Sequence, residues 1–192
     1  MNLRLFVALE PSDLVRRRLA ALQGELRRAA GAAAGEVKWV SPAGIHLTLQ
    51  FLGAVPEERL AAVEEAVAQA AGESRSLELA VTGTGAFPSA RRARVLWAGL
   101  AGDLAPLAAL VAALGRRLAP LGFPPEERPF AAHLTLGRAR DARGLSGLAA
   151  ALAHAGGGTE ARWRAEEVVL FRSHLSPQGP RYEALSRALL GR

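Results

Sequence analysis

His46 and His133 each head the same four letters, His-Leu-Thr-Leu. The two stretches are "GIHLTLQFLG" (residues 44–53) and "AAHLTLGRAR" (residues 131–140). With only four histidines and five threonines in 192 residues, a second such word by chance is roughly a few-in-a-thousand event. Histidine is the side chain whose unperturbed pKa, about 6.5, lets it give or take a proton at neutral pH. Two of them at one site can serve as general base and general acid in a single displacement. A threonine two residues on adds a hydroxyl that can donate to an oxygen of a bound anion.

On a strand, side chains alternate between faces. His46, Thr48 and Gln50 are therefore expected on one face, with Leu47, Leu49 and Phe51 on the other. In the second copy His133 and Thr135 share a face, opposite Leu134 and Leu136. Each strand then presents an imidazole and a hydroxyl on a support anchored by leucines. Strict alternation puts Arg138 with Leu134 and Leu136, away from His133, unless a bulge intervenes.

If the two faces meet across a cleft, two imidazoles flank one bound group. That suits in-line phosphodiester chemistry without a metal. One histidine activates the nucleophile, the other protonates the leaving oxygen, and the threonines hold the non-bridging oxygens. Paired histidines also bind zinc. However, no HxH, HExxH or histidine–carboxylate pair accompanies either motif, and threonine is a poor zinc ligand, so no metal or other cofactor is expected. His154 and His174 lack the motif. His154 fits a helix end, where it can meet the last carbonyls, and His174 could border the cleft. Arg140 and the cluster Arg91, Arg92 and Arg94 are further basic candidates, with a solvated surface charge as the plain reading of Arg91 and Arg92.

The elements around the motifs repeat. Strand periodicity marks residues 3–10, 37–40, 45–53, 76–87, 93–100, 130–139, 162–173 and 181–190. Helical periodicity marks 12–30, with Ser12 as N-cap and Leu14, Leu19, Leu22 and Leu26 along its apolar side. Further helices are marked at 56–72, 102–123 (Asp103 near its cap) and, more weakly, 143–158. One helix ends near Ala30 and His46 follows 16 residues on; another ends near Leu118 and His133 follows 15 residues on. Helix, HLTL strand, helix therefore occurs twice at matched spacing. No long Ser/Gly linker divides the chain. The expectation is a single α+β domain over residues 1–192. It is bilobal, with two pseudo-symmetric antiparallel sheets backed by helices and a central cleft carrying both H-x-T motifs.

Composition narrows the partners. Net charge is +6, and Lys38 is the sole lysine among 24 basic residues. Arginine forks grip phosphate in a bidentate way, although the Ala/Arg/Gly/Pro richness also fits a GC-rich genome. There is no cysteine. No run approaches the roughly 18 consecutive apolar residues of a membrane span, and the N-terminus does not read as a signal peptide. A soluble, cytoplasmic monomer with no obligate protein partner is expected.

The residues resemble a known family, the 2H phosphoesterases, and within it the bacterial and archaeal RNA 2′,3′-cyclic phosphodiesterases, also called 2′-5′ RNA ligases. The likeness covers nearly the whole chain: "RLFVAL", "GIHLTLQFLGAV", "RVLWAGL", "LGFPPEERPFAAHLTLGR" and "SHLSPQGPRYEAL". It implies hydrolysis of an RNA-terminal 2′,3′-cyclic phosphate, or of a small cyclic nucleotide, to a 2′-phosphate. It implies His46 as proton donor, His133 as proton acceptor, Thr48 and Thr135 as phosphate ligands, and Arg138 as a substrate contact. Ala132 stands where the family commonly has proline before the second histidine. Two alternatives stay open. One is the reverse reaction, which joins a cyclic-phosphate end to a 5′-hydroxyl. The other is a non-catalytic module that binds RNA ends or nucleotides.

Overall fold

The computed structural model describes residues 1–141, 145, 148–155, 161–176 and 179–191. Nine strands and four α-helices are described in chain order: β1 (Asn2–Leu9), α1 (Asp13–Ala30), β2 (Val37–Trp39), β3 (Leu47–Pro56), α2 (Leu60–Gly72), β4 (Leu77–Ser89), β5 (Arg92–Gly102), α3 (Leu104–Leu118), β6 (His133–Ala139), α4 (Ala149–His154), β7 (Arg162–Ala165), β8 (Glu167–His174) and β9 (Arg181–Leu189).

The strands form two antiparallel sheets. One runs β3-β1-β8-β9, the other β2-β6-β5-β4-β7. The order is the same in both from the motif strand inward: β3 beside β1 and then β8, β6 beside β5 and then β4. β2 is an extra edge strand next to β6. The lobes are not successive halves of the chain. The first sheet takes both ends of the sequence, so β8 returns to flank β1 and β9 pairs on the far side of β8. Such non-local pairing leaves no mark in local periodicity.

Each sheet buries one face. Leu3, Leu5, Val7 and Leu9 of β1 point into a core continuous through the whole molecule. The other face of β1 carries Phe6 and Ala8, which form a separate small cluster with Val169 and Phe171 and lie against Tyr182. That second face lines the cleft. α2 packs on β8 and β9 and against α3, while α1 packs near α4 and β7. Ser12 caps α1, its hydroxyl accepting from the Val15 N–H at 3.4 Å. Leu14 does not join the apolar stripe and is exposed. Val15, Leu19, Leu22 and Leu26 form it instead, together with the buried Gln23. The segment Leu104–Leu121 is long and apolar enough, by length and composition alone, to cross a membrane. Here Leu107, Leu110, Leu114 and Leu118 of α3 are buried in the core. Asp103 precedes α3, but its carboxylate accepts from the Glu78 N–H and pairs with Arg75. The fourth helix covers Ala149–His154, shorter than the expected 143–158. Leu145 instead pairs with Ala93 as an isolated antiparallel bridge, because its N–H and C=O are bonded to that strand and not to a helical turn. Residues 143, 144, 146, 147 and 156–158 of that span, and the carbonyl contact expected of His154, lie outside the described residues.

Candidate active site

The cleft faces of the two sheets enclose one cavity of about 610 Å³. His46, Thr48, His133, Thr135 and Arg138 all line it. The five residues singled out in the sequence therefore share a single site. His46 falls one residue before β3, and His133 opens β6.

The two imidazoles are held the same way. His46 Nδ1 is 2.9 Å from the carbonyl of Gly44, and His133 Nδ1 is 2.6 Å from the carbonyl of Ala131, each two residues upstream. A carbonyl only accepts, so both Nδ1 atoms donate. That sets the neutral tautomer with Nε2 as the free, proton-accepting nitrogen. Neither threonine hydroxyl is engaged by protein among the described residues.

Their surroundings differ. His46 sits in an aromatic box, 4.6 Å from Phe6 and 5.0 Å from Tyr182 between ring centroids, with Phe171 behind. Burial there drives its pKa down to about 4, more than offsetting the bond to Gly44 and the charge of Glu10, both of which raise it. Arg138 and Arg16 push in the same direction as burial. His133 meets a single ring, Phe87, edge-on at 5.1 Å.

The reach of Arg138 comes from a bulge. Along β6, Thr135 opposes Trp97 and Gly137 opposes Leu96, so Leu136 is an extra residue with no partner on β5. Leu134, Leu136 and Gly137 are buried, and the phase of alternation flips. Arg138 then shares the cleft face with His133 and Thr135. A Cβ on Gly137 would stand 2.6 Å from Val37 Cγ1, so the bulge requires glycine there.

The first motif carries the same device. Thr48 opposes Ala8 and Gln50 opposes Val7, with Leu49 as the extra residue. This corrects the alternation read from the sequence. Gln50 turns into the core, where its Nε2 donates to the carbonyls of Phe123 and Pro124 at 3.0 and 3.3 Å. Phe51 turns into the cleft instead and stays 54 % exposed. Phe51 and Arg138 are thus equivalent positions, each five residues after its histidine. Phe51 offers a flat apolar surface of the kind on which a nucleobase stacks.

Other candidates fall elsewhere. His174 lies 2.6 Å from the Glu183 carboxylate through Nε2, while its neighbours Ser173 and Leu175 line the cleft. Arg140 donates to the Gly35 carbonyl. Arg91, Arg92 and Arg94 do not line the cavity. Arg4 and Tyr182 do, and periodicity alone does not mark them. Among the described residues no three His, Asp or Glu side chains converge as metal ligands.

Two antiparallel sheets with twin bulged H-x-T strands facing one cleft define a bilobal phosphoesterase architecture. The chain belongs to the LigT-like phosphoesterase family, whose model matches residues 9–97 and 101–182. It is 32 % identical over 182 residues to the RNA 2′,3′-cyclic phosphodiesterase of Methanothermobacter thermautotrophicus, covering 95 % of this chain and 96 % of that one. It is 35 % identical over 149 residues to the enzyme of the same name from Aeropyrum pernix, covering 78 % and 84 %. Among solved structures, a Thermus thermophilus protein superposes with a TM-score of 0.78 at 27 % identity, over 97 % of each chain. E. coli LigT complexed with 3′-AMP superposes with a TM-score of 0.74 at 25 % identity, over the full length of both chains.

Proposed function

We propose that this protein hydrolyses the terminal 2′,3′-cyclic phosphate of RNA to a 2′-phosphomonoester, without a metal, with its two histidines as acid and base. The observation that carries this reading is the pair of imidazoles on one cleft, each with Nδ1 committed to a backbone carbonyl and Nε2 free. The names of the curated relatives supply the substrate class.

The cyclic phosphate is an anion. Thr48 and Thr135 are placed to donate to its non-bridging oxygens, and Arg138 to add a positive charge beside them. His133, with Nε2 as acceptor, takes the proton of the attacking water. His46 gives a proton to the departing 3′-oxygen, which leaves the phosphate on the 2′-oxygen. The 3′-oxygen is thereby never released as a bare alkoxide. Burial keeps His46 neutral in the free protein at neutral pH. The acid role therefore needs the bound phosphate's negative charge, which favours imidazolium, so substrate binding is coupled to proton uptake at His46. Both histidines and both threonines come from one chain, so a monomer suffices.

The test is incubation of an RNA ending in 2′,3′-cyclic phosphate with the protein in EDTA. The expected product is a 2′-phosphate end, formed at the same rate as without chelator. Loss of turnover in EDTA, restored by zinc or manganese, would reject the metal-free reading. A 3′-phosphate product would reject the placement of the acid.

A further inference from the structure

Many of the described cations on the outer surface are answered by acids. Arg75 pairs with Asp103, Arg117 with Glu73, and Arg187 with Glu10 and Glu167. Lys38 and Arg138 differ. Both are exposed, both line the cleft, and neither makes an ion pair among the described residues.

They are also direct neighbours. In the antiparallel pair of β2 with β6, Lys38 faces Arg138. Val37, on the other face of β2, is buried against the spot where a Gly137 side chain would stand. Lys38 therefore shares the cleft face with Arg138. Directly opposed residues have Cβ atoms about 4.5–5.5 Å apart, and like charges so placed destabilise a sheet. An anion seated between them removes that penalty.

The two cations do not stand equally near the catalytic centre. Arg138 acts on the charge states of His46 and Tyr182, whereas Lys38 is not among the charges felt by either. Strands lie about 4.8 Å apart, so Lys38 stands one strand further than Arg138 from the strand of His133, on the outer edge of that sheet. We propose that Lys38, beside Arg138, forms a second phosphate subsite. It takes the internal phosphodiester on the 5′ side of the terminal nucleotide, and the cleft thereby selects polynucleotide ends over mononucleotides. This rests on the reading of the cleft as the site of the terminal cyclic phosphate, and it assigns the residue that holds the chain beyond the terminal nucleotide.

The experiment compares kcat/KM for a short RNA oligonucleotide ending in 2′,3′-cyclic phosphate with that for a 2′,3′-cyclic mononucleotide, over a range of salt. In Lys38→Ala the oligonucleotide-to-mononucleotide ratio should fall about tenfold. The slope of log kcat/KM against log salt should become shallower by roughly 0.7 for the oligonucleotide only. Lys38→Arg should restore both. An unchanged ratio in Lys38→Ala, whether both substrates lose rate together or neither does, overturns the proposal. Failure of the wild-type chain to turn over either substrate would instead overturn the reaction assignment. The subsite is then read by equilibrium binding of the same oligonucleotide ending in 2′-phosphate, weaker by the same factor in Lys38→Ala if the proposal holds and unchanged if it does not.

Discussion

The side-chain amide of Gln23, in the middle of α1, donates to the carbonyl of Leu136, the bulged residue of β6, at 2.8 Å. The same nitrogen donates to the Val40 carbonyl at 2.7 Å, just past the end of β2. Gln50 sits at the matching bulge of β3 and donates to Phe123 and Pro124. Gln23 and Gln50 are the two fully buried polar side chains among the described residues, at 2 % and 4 % exposure. Each of these buried polar groups thus braces one half of the site. A buried amide left without partners costs roughly 1–3 kcal/mol, so Gln23 is locked to the bulge of β6 and Gln50 ties the bulged stretch of β3 to Phe123 and Pro124.

Gln23→Leu should therefore lower stability by about 1–3 kcal/mol, because the Val40 carbonyl loses this donor. It should also lower kcat/KM through misplacement of Arg138. A double-mutant cycle separates the two effects. If Gln23 positions the bulge, Gln23→Leu costs much less activity in an Arg138→Ala background than in the wild type. Equal loss in both backgrounds would mean that Gln23 supports the core and not the site.

Gly137→Ala should push β2 away from β6, since the new methyl meets Val37 Cγ1 at 2.6 Å. Overpacking of this kind costs typically about 1–3 kcal/mol. The second-site change Val37→Ala opens that space. The double variant should recover part of the activity lost in Gly137→Ala, even though Val37→Ala alone is destabilising. Thermal melts and kcat/KM on the same four proteins check this. No recovery would place the defect in the backbone of the bulge.

His46 makes stability depend on pH. The unfolded imidazole titrates near 6.5 and the folded one near 4, so between these values the unfolded chain binds the extra proton. Stability from this group is complete above about pH 6.5 and is lost as pH falls toward 4, by up to about 3 kcal/mol. His46→Asn, whose amide can still donate to the Gly44 carbonyl, should flatten the difference in unfolding free energy over that window. Denaturant unfolding at pH 7.5 and pH 5 measures it. An identical pH dependence in both proteins would show that His46 is not held neutral by its aromatic box.

Much of this site was legible in the sequence. Two identical four-residue words at matched distances from helices mark the histidines and threonines, and leucine periodicity marks the helices that back them. The bulges were not legible. One extra residue at Leu49 or Leu136 leaves the apolar pattern of "LTLQFL" and "LTLGRA" nearly alternating, yet it sends Gln50 inward and brings Phe51 and Arg138 to the cleft. The one trace is the equal offset of Phe51 and Arg138 from their histidines. Gln23 was hidden for a different reason. It occupies an apolar-face position of α1, and its partners lie on β6 and just beyond β2, which pair only in three dimensions. The return of β8 to the side of β1, with β9 beyond it, was hidden in the same way.

The central claim is that the two histidines have distinct roles, acid for His46 and base for His133. Each alanine variant should lose roughly 10²–10⁴-fold in rate on the natural oxygen substrate. The direct measurement repeats this on a 2′,3′-cyclic substrate with sulfur at the bridging 3′-position. A thiolate leaves without a proton, so His46→Ala should recover most of its lost rate. His133→Ala should not recover, because water still needs a base. Rescue of His133→Ala in place of His46→Ala would reverse the roles, and equal rescue of both would contradict a fixed acid and base.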